Sequence, residues 1–291
     1  MKKFFMEVIA IMMTASVSAQ FYIYLSNGEV LQADSISMVA PSTPDPSTLS
    51  GEFSVSETKK VHFSQGNLQY QASTQTWRFA ENQYDMIGSE NSNISASYSG
   101  WIDMFGWGTG HNPTRTSTDY NDYATFTDWG NNMGEGWRTL TKDEWVYLFY
   151  TRTNAASLFG LGSVNGVNGT IILPDSWVTP DGASFTPSTS QGLADQGSYY
   201  YNSNGDNFSH NTYTAEQWSV MESAGAVFLP AAGYRFGTDV YGVGSGGNYW
   251  SASPGSENGV YRMYFGSDYL VPQNYYGRFY GHSVRLVQDL E

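Results

Sequence analysis

Two segments carry the signal of a helix start, whereas signals for short strands are frequent, and this contrast constrains the fold most. Residues 141–144 (TKDE) and 214–217 (TAEQ) are capping boxes that lead into Trp145 and Trp218. In a capping box, a hydroxyl and a carboxylate or amide side chain satisfy the free N–H groups of a helix start. The sequence therefore predicts two helices, the second ending near Gly225.

Most other regular segments are predicted to be short strands, because apolar and polar residues alternate or form short apolar runs. Two helices among many strands and long polar loops predict the α+β class. With 40% hydrophobic residues, the chain has enough apolar surface for a core. The predicted strands are Val61 to Phe63, Leu68 to Tyr70, Trp77 to Phe79, Gly169 to Leu173, Ala226 to Leu229, Tyr249 to Ser251, Val260 to Phe265 and Ser283 to Val287.

Charge and cysteine content exclude several functions. The formal net charge is −14, and Lys142 is the one lysine beyond residue 60. An acidic chain without a basic stripe is repelled by nucleic acid and by anionic membranes. The chain has no cysteine, which excludes disulfides, thiolate nucleophiles and cysteine-ligated zinc. We expect no nucleic-acid partner.

The first residues have the pattern of a secretory signal peptide. Lys2 and Lys3 precede a mostly apolar stretch, and 17–19 (VSA) is a small-residue cleavage site before Gln20. No later apolar run approaches the roughly 20 residues that span a bilayer. We therefore expect residues 1–19 to be removed, and the mature chain to be secreted or held at the cell surface or in the periplasm without spanning a membrane.

The mature chain is predicted to have three parts. Residues 20–38 read as a hairpin, because a β-prone segment is followed by Asn27-Gly28, a strong turn dipeptide. Residues 39–50 are rich in Pro, Ser and Thr, as in an extended linker. Residues 51–291 form the main domain.

Several motifs in the main domain resemble those of bacterial C-type-lectin-fold domains. The set is similar to the Fibrobacter succinogenes major paralogous domain and to formylglycine-generating-enzyme-like domains, and it covers most of residues 51–288. Its elements correspond to a "GWRLPT…EW" signature, a "YWSSS" element and a closing "Y.L.F…G.SVRLV". In this sequence the first element is carried by Gly136 to Thr141 with Glu144-Trp145 and the second by Asn248 to Ser253. The closing element is carried by Tyr261 to Phe265 and Gly281 to Val287.

This resemblance implies a compact domain whose first and last strands pair, here Val61 to Phe63 with Ser283 to Val287. The oxidase branch of the superfamily uses cysteines, and the calcium-dependent animal lectins use EPN, QPD and WND tripeptides; this chain has neither. The resemblance then implies a bacterial display scaffold. Variable proteins of diversity-generating retroelements, whose C-terminal lectin-fold surface is diversified for binding, are similar in fold and composition.

Motifs typical of cofactor and metal sites give little support for either kind of site. Residues 242–247 match G-x-G-x-x-G, but a strand-like segment follows where a dinucleotide site needs a helix, so a loop is predicted. Asp- and Asn-rich loops at 119–122, 128–132 and 204–207 carry oxygens that suit Ca²⁺, although Asx-turns are the favoured interpretation. We expect no cofactor, with Ca²⁺ left open. No metal-ligand spacing joins His62, His111, His210 and His282.

Residues 241–282 carry the strongest functional signal. They contain 8 Tyr, 9 Gly, 5 Ser and 3 Asn and no Lys, a mixture typical of antibody binding loops. Alternation places Met263 and Phe265 in the core and Arg262 and Tyr264 at the surface. Residues 266–280, with Pro272 and two glycines, are predicted to be a surface loop.

The candidate binding residues come from this segment, and no catalytic or metal-binding residue is assigned. A packed, tyrosine-rich sheet is the structural alternative to a binding face. The candidates are Arg262, Tyr264, Asp268, Tyr269, Asn274, Tyr275, Tyr276, Arg278 and Tyr280.

The function that these features favour is an exported, non-enzymatic binding or adhesion protein whose ligand is an extracellular protein or a glycan. One alternative is an extracytoplasmic enzyme or accessory protein acting on polysaccharide, which as an enzyme would need two carboxylates roughly 5–9.5 Å apart. Another is a structural surface subunit. The oligomeric state is left open by the sequence.

Overall fold

A computed structural model describes the strands at 21–24 and 30–33 and residues 47–188, 207–256 and 258–290. The chain divides into two compact units, residues 1–43 and 44–291. In the smaller unit, β1 (Phe21–Tyr24) and β2 (Val30–Ala33) pair antiparallel, at the position of the predicted hairpin. The predicted signal peptide, 1–19, lies outside the described residues.

The described residues of the larger unit contain two α-helices with the predicted starts. Helix α1 (Lys142–Val146) and helix α2 (Ala215–Ser223) each begin with both reciprocal hydrogen bonds of a capping box. Helix α1 runs on into a π-helical turn at Tyr147–Thr151. After α2, Gly225 has φ of +95°, which explains why the helix ends there.

The strands of the larger unit are short. Isolated 3₁₀ turns lie between them at Gly88–Asn93, Tyr120–Tyr123, Trp129–Asn132 and Ala155–Ser157. The strands are β3 (Phe53–Ser54), β4 (Lys60–Phe63), β5 (Leu68–Gln71), β6 (Thr76–Phe79), β7 (Trp101–Ile102), β8 (Trp137–Thr139), β9 (Phe159–Val164), β10 (Val167–Ile172), β11 (Thr212–Tyr213), β12 (Val227–Pro230), β13 (Tyr234–Phe236), β14 (Asp239–Tyr241), β15 (Gly247–Pro254), β16 (Gly259–Phe265), β17 (Leu270–Gly277) and β18 (Leu286–Asp289).

Small, mostly antiparallel sheets organise these strands. Their orders are β3-β4-β18-β8, β11-β9-β10-β12, β6-β5-β7, β15-β16-β17 and β13-β14. In the first sheet the last strand lies beside one of the first, with Val287 opposite Phe63 and Gln288 opposite His62. The resemblance implied a pairing of Val61 to Phe63 with Ser283 to Val287; the strand that pairs is β18, which begins at Leu286 and continues to Asp289, so only Val287 of the predicted segment faces β4. The α+β class is confirmed.

Aromatic side chains fill the core. Trp145 is fully buried, and its ring stacks on Phe149 with 6.1 Å between centroids. Trp137 is also buried, so both tryptophans of the 136–145 motif belong to the core. Leu49, near the end of the predicted linker, is buried in the same cluster as Trp145, and its N–H donates to the carbonyl of Phe63. Residues 47–50, which the sequence assigned to the linker, therefore belong to the larger unit.

Candidate ligand-binding face

The sheet β15-β16-β17 carries the centre of the candidate site. As the alternation predicts, Met263 and Phe265 are buried in the core cluster. Arg262 and Tyr264 share the other face, where the guanidinium carbon lies 4.6 Å from the ring centroid of Tyr264. The strand therefore separates a core side from a side that can meet a ligand.

Arg262 is not exposed as predicted, because only 5% of its surface reaches solvent. Its Nη1 donates to Oδ1 of Asn248 at 2.5 Å and to Nε2 of His282 at 3.2 Å, and its Nε donates to Oδ1 of Asn274 at 3.0 Å. Neighbours from β15, β17 and the segment before β18 thus enclose the guanidinium. The prediction failed because these partners lie far from Arg262 in the sequence or in other strands.

The buried charge of Arg262 has no carboxylate beside it among the described residues. No salt bridge of Arg262 occurs among the described residues. The guanidinium carbon instead lies 3.7 Å from the ring centroid of Tyr276. Burial lowers the pKa of Arg262 to about 10, so the group stays charged at neutral pH. Cation–π contacts with tyrosine rings and hydrogen bonds to neutral acceptors compensate in part for the hydration that the guanidinium loses.

His282 is a neutral hydrogen-bond acceptor for Arg262. Burial, and then the charge of Arg262, lower the pKa of His282 well below its ordinary value. Its Nδ1 lies 2.9 Å from the carbonyl of Gly281, to which Nδ1–H donates. This leaves Nε2 to accept from Arg262, so the tautomer follows from its two partners.

Residues 266–280 are not the predicted loop, because β17 occupies 270–277. Arg262 faces Asn274 and Tyr264 faces Val271, so two residues, Pro272 and Gln273, stand opposite Met263. Such a bulge, on the edge strand of a sheet, accommodates a proline that has no N–H to donate. The strand places Asn274 and Tyr276 on the face of Arg262.

The structure brings six of the nine predicted residues together around this guanidinium. The rings of Tyr264 and Tyr269 lie 4.9 Å apart and their hydroxyls are hydrogen-bonded, and those of Tyr276 and Tyr280 lie 4.5 Å apart. The six are Arg262, Tyr264, Tyr269, Asn274, Tyr276 and Tyr280.

The other three predicted residues lie at the margin. Tyr275 is 45% exposed, and its hydroxyl donates to the carbonyl of Ser256. Arg278 donates from Nε to the carbonyl of Tyr120 at 2.7 Å, and Asp268 is exposed. These residues are placed to flank a ligand rather than to hold its centre.

Sequence reasoning missed a second hairpin, β13-β14, that extends the site. The ring of Tyr234 lies 5.5 Å from that of Tyr241 and 5.8 Å from that of Tyr280, and Phe236 lies 5.2 Å from Tyr280. The sequence carries a signal for this hairpin, because aromatic residues alternate with other residues on either side of a turn that contains a glycine. We call the combined surface around Arg262 the aromatic face: Tyr234, Phe236, Tyr241, Tyr264, Tyr269, Tyr276, Phe279 and Tyr280.

Two shallow hollows open on this face. The first, of about 140 Å³, lies beside Tyr264 and has Gly242 and Gly246 in its wall. The second, of about 300 Å³, lies beside Tyr276 and is also lined by Tyr275 and Phe279. The 242–247 segment is thus a turn before β15, as predicted, and forms part of a hollow.

The acidic loops bind their own backbone. Oδ1 of Asp119 accepts from the N–H of Asn121, Oδ1 of Asp128 accepts from that of Gly130, and Oδ1 of Asn207 accepts from that of Ser209. These are the predicted Asx-turns. In the described part of the chain, no three His, Asp or Glu side chains lie close enough to hold a metal.

No family model, no curated protein and no solved structure matches this chain. Among the described residues, none of the helices has the length and hydropathy needed to cross a bilayer. The function is therefore inferred from the geometry and charge of the aromatic face.

Proposed function

We propose that this chain is an exported, non-enzymatic binding or adhesion protein, and that the aromatic face holds its ligand. One observation carries the proposal: the rings of Tyr264 and Tyr276 contact the buried guanidinium of Arg262, which has no carboxylate partner in the described structure, and the six other rings of the aromatic face are linked to these two by ring contacts. Tyr and Arg dominate binding hot spots. Lysine and acidic residues are depleted from the centres of interfaces, as they are here.

The proposed scaffold is a bacterial C-type-lectin-like domain. Support comes from the positions of the motifs that carry the resemblance: residues 136–141 lead into α1, 248–253 lie in β15 and 261–265 lie in β16. The pairing of β4 with β18 also fits such a domain. In this arrangement β16 and β17 display the aromatic face while their other side packs on the core.

The proposal of a non-enzymatic role rests on the chemistry of the face. Burial raises the pKa of the Tyr280 hydroxyl to about 12 and also raises that of Tyr234. These phenols therefore stay protonated near neutral pH and act as contact and hydrogen-bonding groups. A general base needs a pKa near the working pH, which neither these tyrosines nor Arg262 supplies.

An array of glycans and extracellular proteins, probed with the full chain, tests the proposal. We expect specific capture by the wild type, weakened at least fivefold by Tyr276→Ala. Tyr98→Ala is the matched control, because Tyr98 is a half-buried tyrosine that packs on another cluster. Capture that a folded Tyr276→Ala variant retains in full would overturn the proposed site.

Genetic diversification of this face is a separate part of the proposal. Residues 241–282 supply most of the aromatic face, and their Tyr, Gly, Ser and Asn content suits adaptable binding. Sequencing the neighbouring DNA is the test. A reverse transcriptase gene and a near-copy of the codons for 241–282 are expected, and a locus without them would contradict diversification.

A further inference from the structure

Resting on the proposed function, we infer that the partner is a protein that places an aspartate or glutamate carboxylate on Arg262. Three features of the protein point to this partner: the hydrogen bonding of the guanidinium, the groups that remain to meet a ligand, and the charge of the whole chain.

The guanidinium of Arg262 has a free donor in the described structure. Nε and Nη1 of Arg262 are bound by Asn248, Asn274 and His282. Nη2 donates to no group in the described structure, and it is not among the buried polar atoms that lack a partner, so it reaches solvent. It is the outward end of a side chain that is 95% buried.

Arg262 also lacks a counterion in the described structure. A guanidinium taken out of water loses hydration that neutral acceptors and tyrosine rings replace only in part. A carboxylate on Nη2 would restore a charge-assisted hydrogen bond. Arg152, another buried arginine, has such a partner, because its Nη1 lies 3.1 Å from Oδ1 of Asp175. Arg235 and Arg285 are buried without a salt bridge in the described structure, and Arg262 differs from them because its guanidinium contacts the rings of Tyr264 and Tyr276.

The side chains around Arg262 favour a protein ligand over a glycan. Sugar hydroxyls are bound by side-chain amides and hydroxyls, and several of these groups are engaged here. Asn248 accepts from Arg262 and donates to the carbonyl of Gly233, and Asn274 also accepts from Arg262. The hydroxyls of Tyr264 and Tyr269 bond each other. What remains is mostly ring surface around one cation, together with the hydroxyls of Tyr234 and Tyr241, and tyrosines around an arginine are typical of a protein-interface centre.

The charge of the chain and the shape of the aromatic face also favour a protein segment. A net charge of −14 repels polyanions such as a uronate polymer at long range, whereas one carboxylate within an apolar patch meets Arg262 directly. The hollows beside Tyr264 and Tyr276, of about 140 and 300 Å³, leave room for apolar side chains next to that carboxylate. A short protein segment provides this combination.

A small aromatic acid tests the carboxylate site directly. Benzoate, titrated into the full chain and followed by NMR, should bind saturably and at least tenfold more tightly than benzamide, its uncharged analogue. Arg262→Gln should abolish this preference. Arg78→Gln should retain it, because Arg78 is an exposed arginine that stacks on Trp101 in another part of the fold. If Arg262→Gln fails to fold, the comparison of benzoate with benzamide on the wild type still decides. Equal binding of the two probes would overturn the inference.

A random peptide library displayed on phage, panned beside glucuronate-bearing oligosaccharides, tests the class of partner. Enriched peptides should share an Asp or Glu, and changing it to Asn or Gln should weaken binding at least tenfold. Capture of the oligosaccharides alone, or peptides without a required acid, would overturn the inference. If Tyr276→Ala abolishes capture but the amide change does not, the carboxylate inference alone fails. If Tyr276→Ala has no effect, the proposed function fails.

Discussion

The ring of Tyr276 covers the guanidinium of Arg262, with 3.7 Å between the ring centroid and Cζ. The two residues lie in neighbouring strands, β17 and β16, and reach each other because the bulge at Pro272 sets the register of β17. A cation–π contact of a desolvated arginine contributes about 2 kcal/mol. Tyr276 therefore has a role in stability as well as in the proposed binding.

Tyr276→Ala is expected to lower the free energy of unfolding by about 1–2 kcal/mol, because it removes the ring from a buried cation. Tyr275→Ala, one residue away, removes a ring that is 45% exposed and should change stability by at most about 0.5 kcal/mol. Urea denaturation of both variants measures the difference. Equal losses would show that the cation–π contact contributes nothing measurable.

Trp145→Ala is expected to lower the free energy of unfolding by about 3–5 kcal/mol, the usual loss for a buried large aromatic residue. Trp145 is fully buried and donates from Nε1 to the carbonyl of Trp250 at 3.4 Å. Trp101→Ala is the control, since Trp101 is half-buried under Arg78 and should lose clearly less. A Trp145→Ala variant that melts with the wild type would contradict this core assignment.

Local patterns predicted local structure, whereas the centre of the site depends on distant contacts. The starts of α1 and α2 follow from four residues each, and the alternation in β16 follows from its own sequence. The burial of Arg262 could not be predicted, because its acceptors lie in other strands and before β18. Pro272 suggested a loop, and only the sheet position of β17 shows how an edge strand accommodates it.

Export is the prediction that rests on sequence alone. Protein recovered from the native cells should begin at Gln20, because 17–19 (VSA) is a small-residue cleavage site after an apolar stretch. Intact-mass spectrometry of the mature pool measures the start. An Ala19→Arg variant should accumulate with Met1 retained, since a large charged residue blocks such sites. Met1 on most of the wild-type pool would contradict export by this route.

Asp103 is a fully buried carboxylate held by neutral donors. Its Oδ2 accepts from the N–H of Ile87 at 2.9 Å and its Oδ1 accepts from Nδ2 of Asn91 at 2.7 Å. No salt bridge reaches it in the described structure. Desolvation outweighs these hydrogen bonds and raises the pKa of Asp103 to about 6.

Because the folded-state pKa of Asp103 lies above the unfolded value, its protonation favours the folded state. This contribution is complete below about pH 4 and is lost as the pH rises through about 6. Asp103→Asn cannot titrate, so the wild type should gain about 2 kcal/mol of stability relative to the variant between about pH 7.5 and about pH 4. His282, whose lowered pKa acts in the opposite sense, is shared by both proteins and cancels in the comparison. The side-chain NH₂ of Asn at 103 would also face a hydrogen-bond donor, so the variant is expected to be less stable than the wild type at every pH. The test is therefore how the difference in unfolding free energy changes with pH. Urea denaturation of both proteins across this range gives that difference, and a difference independent of pH would show that Asp103 titrates as in the unfolded chain.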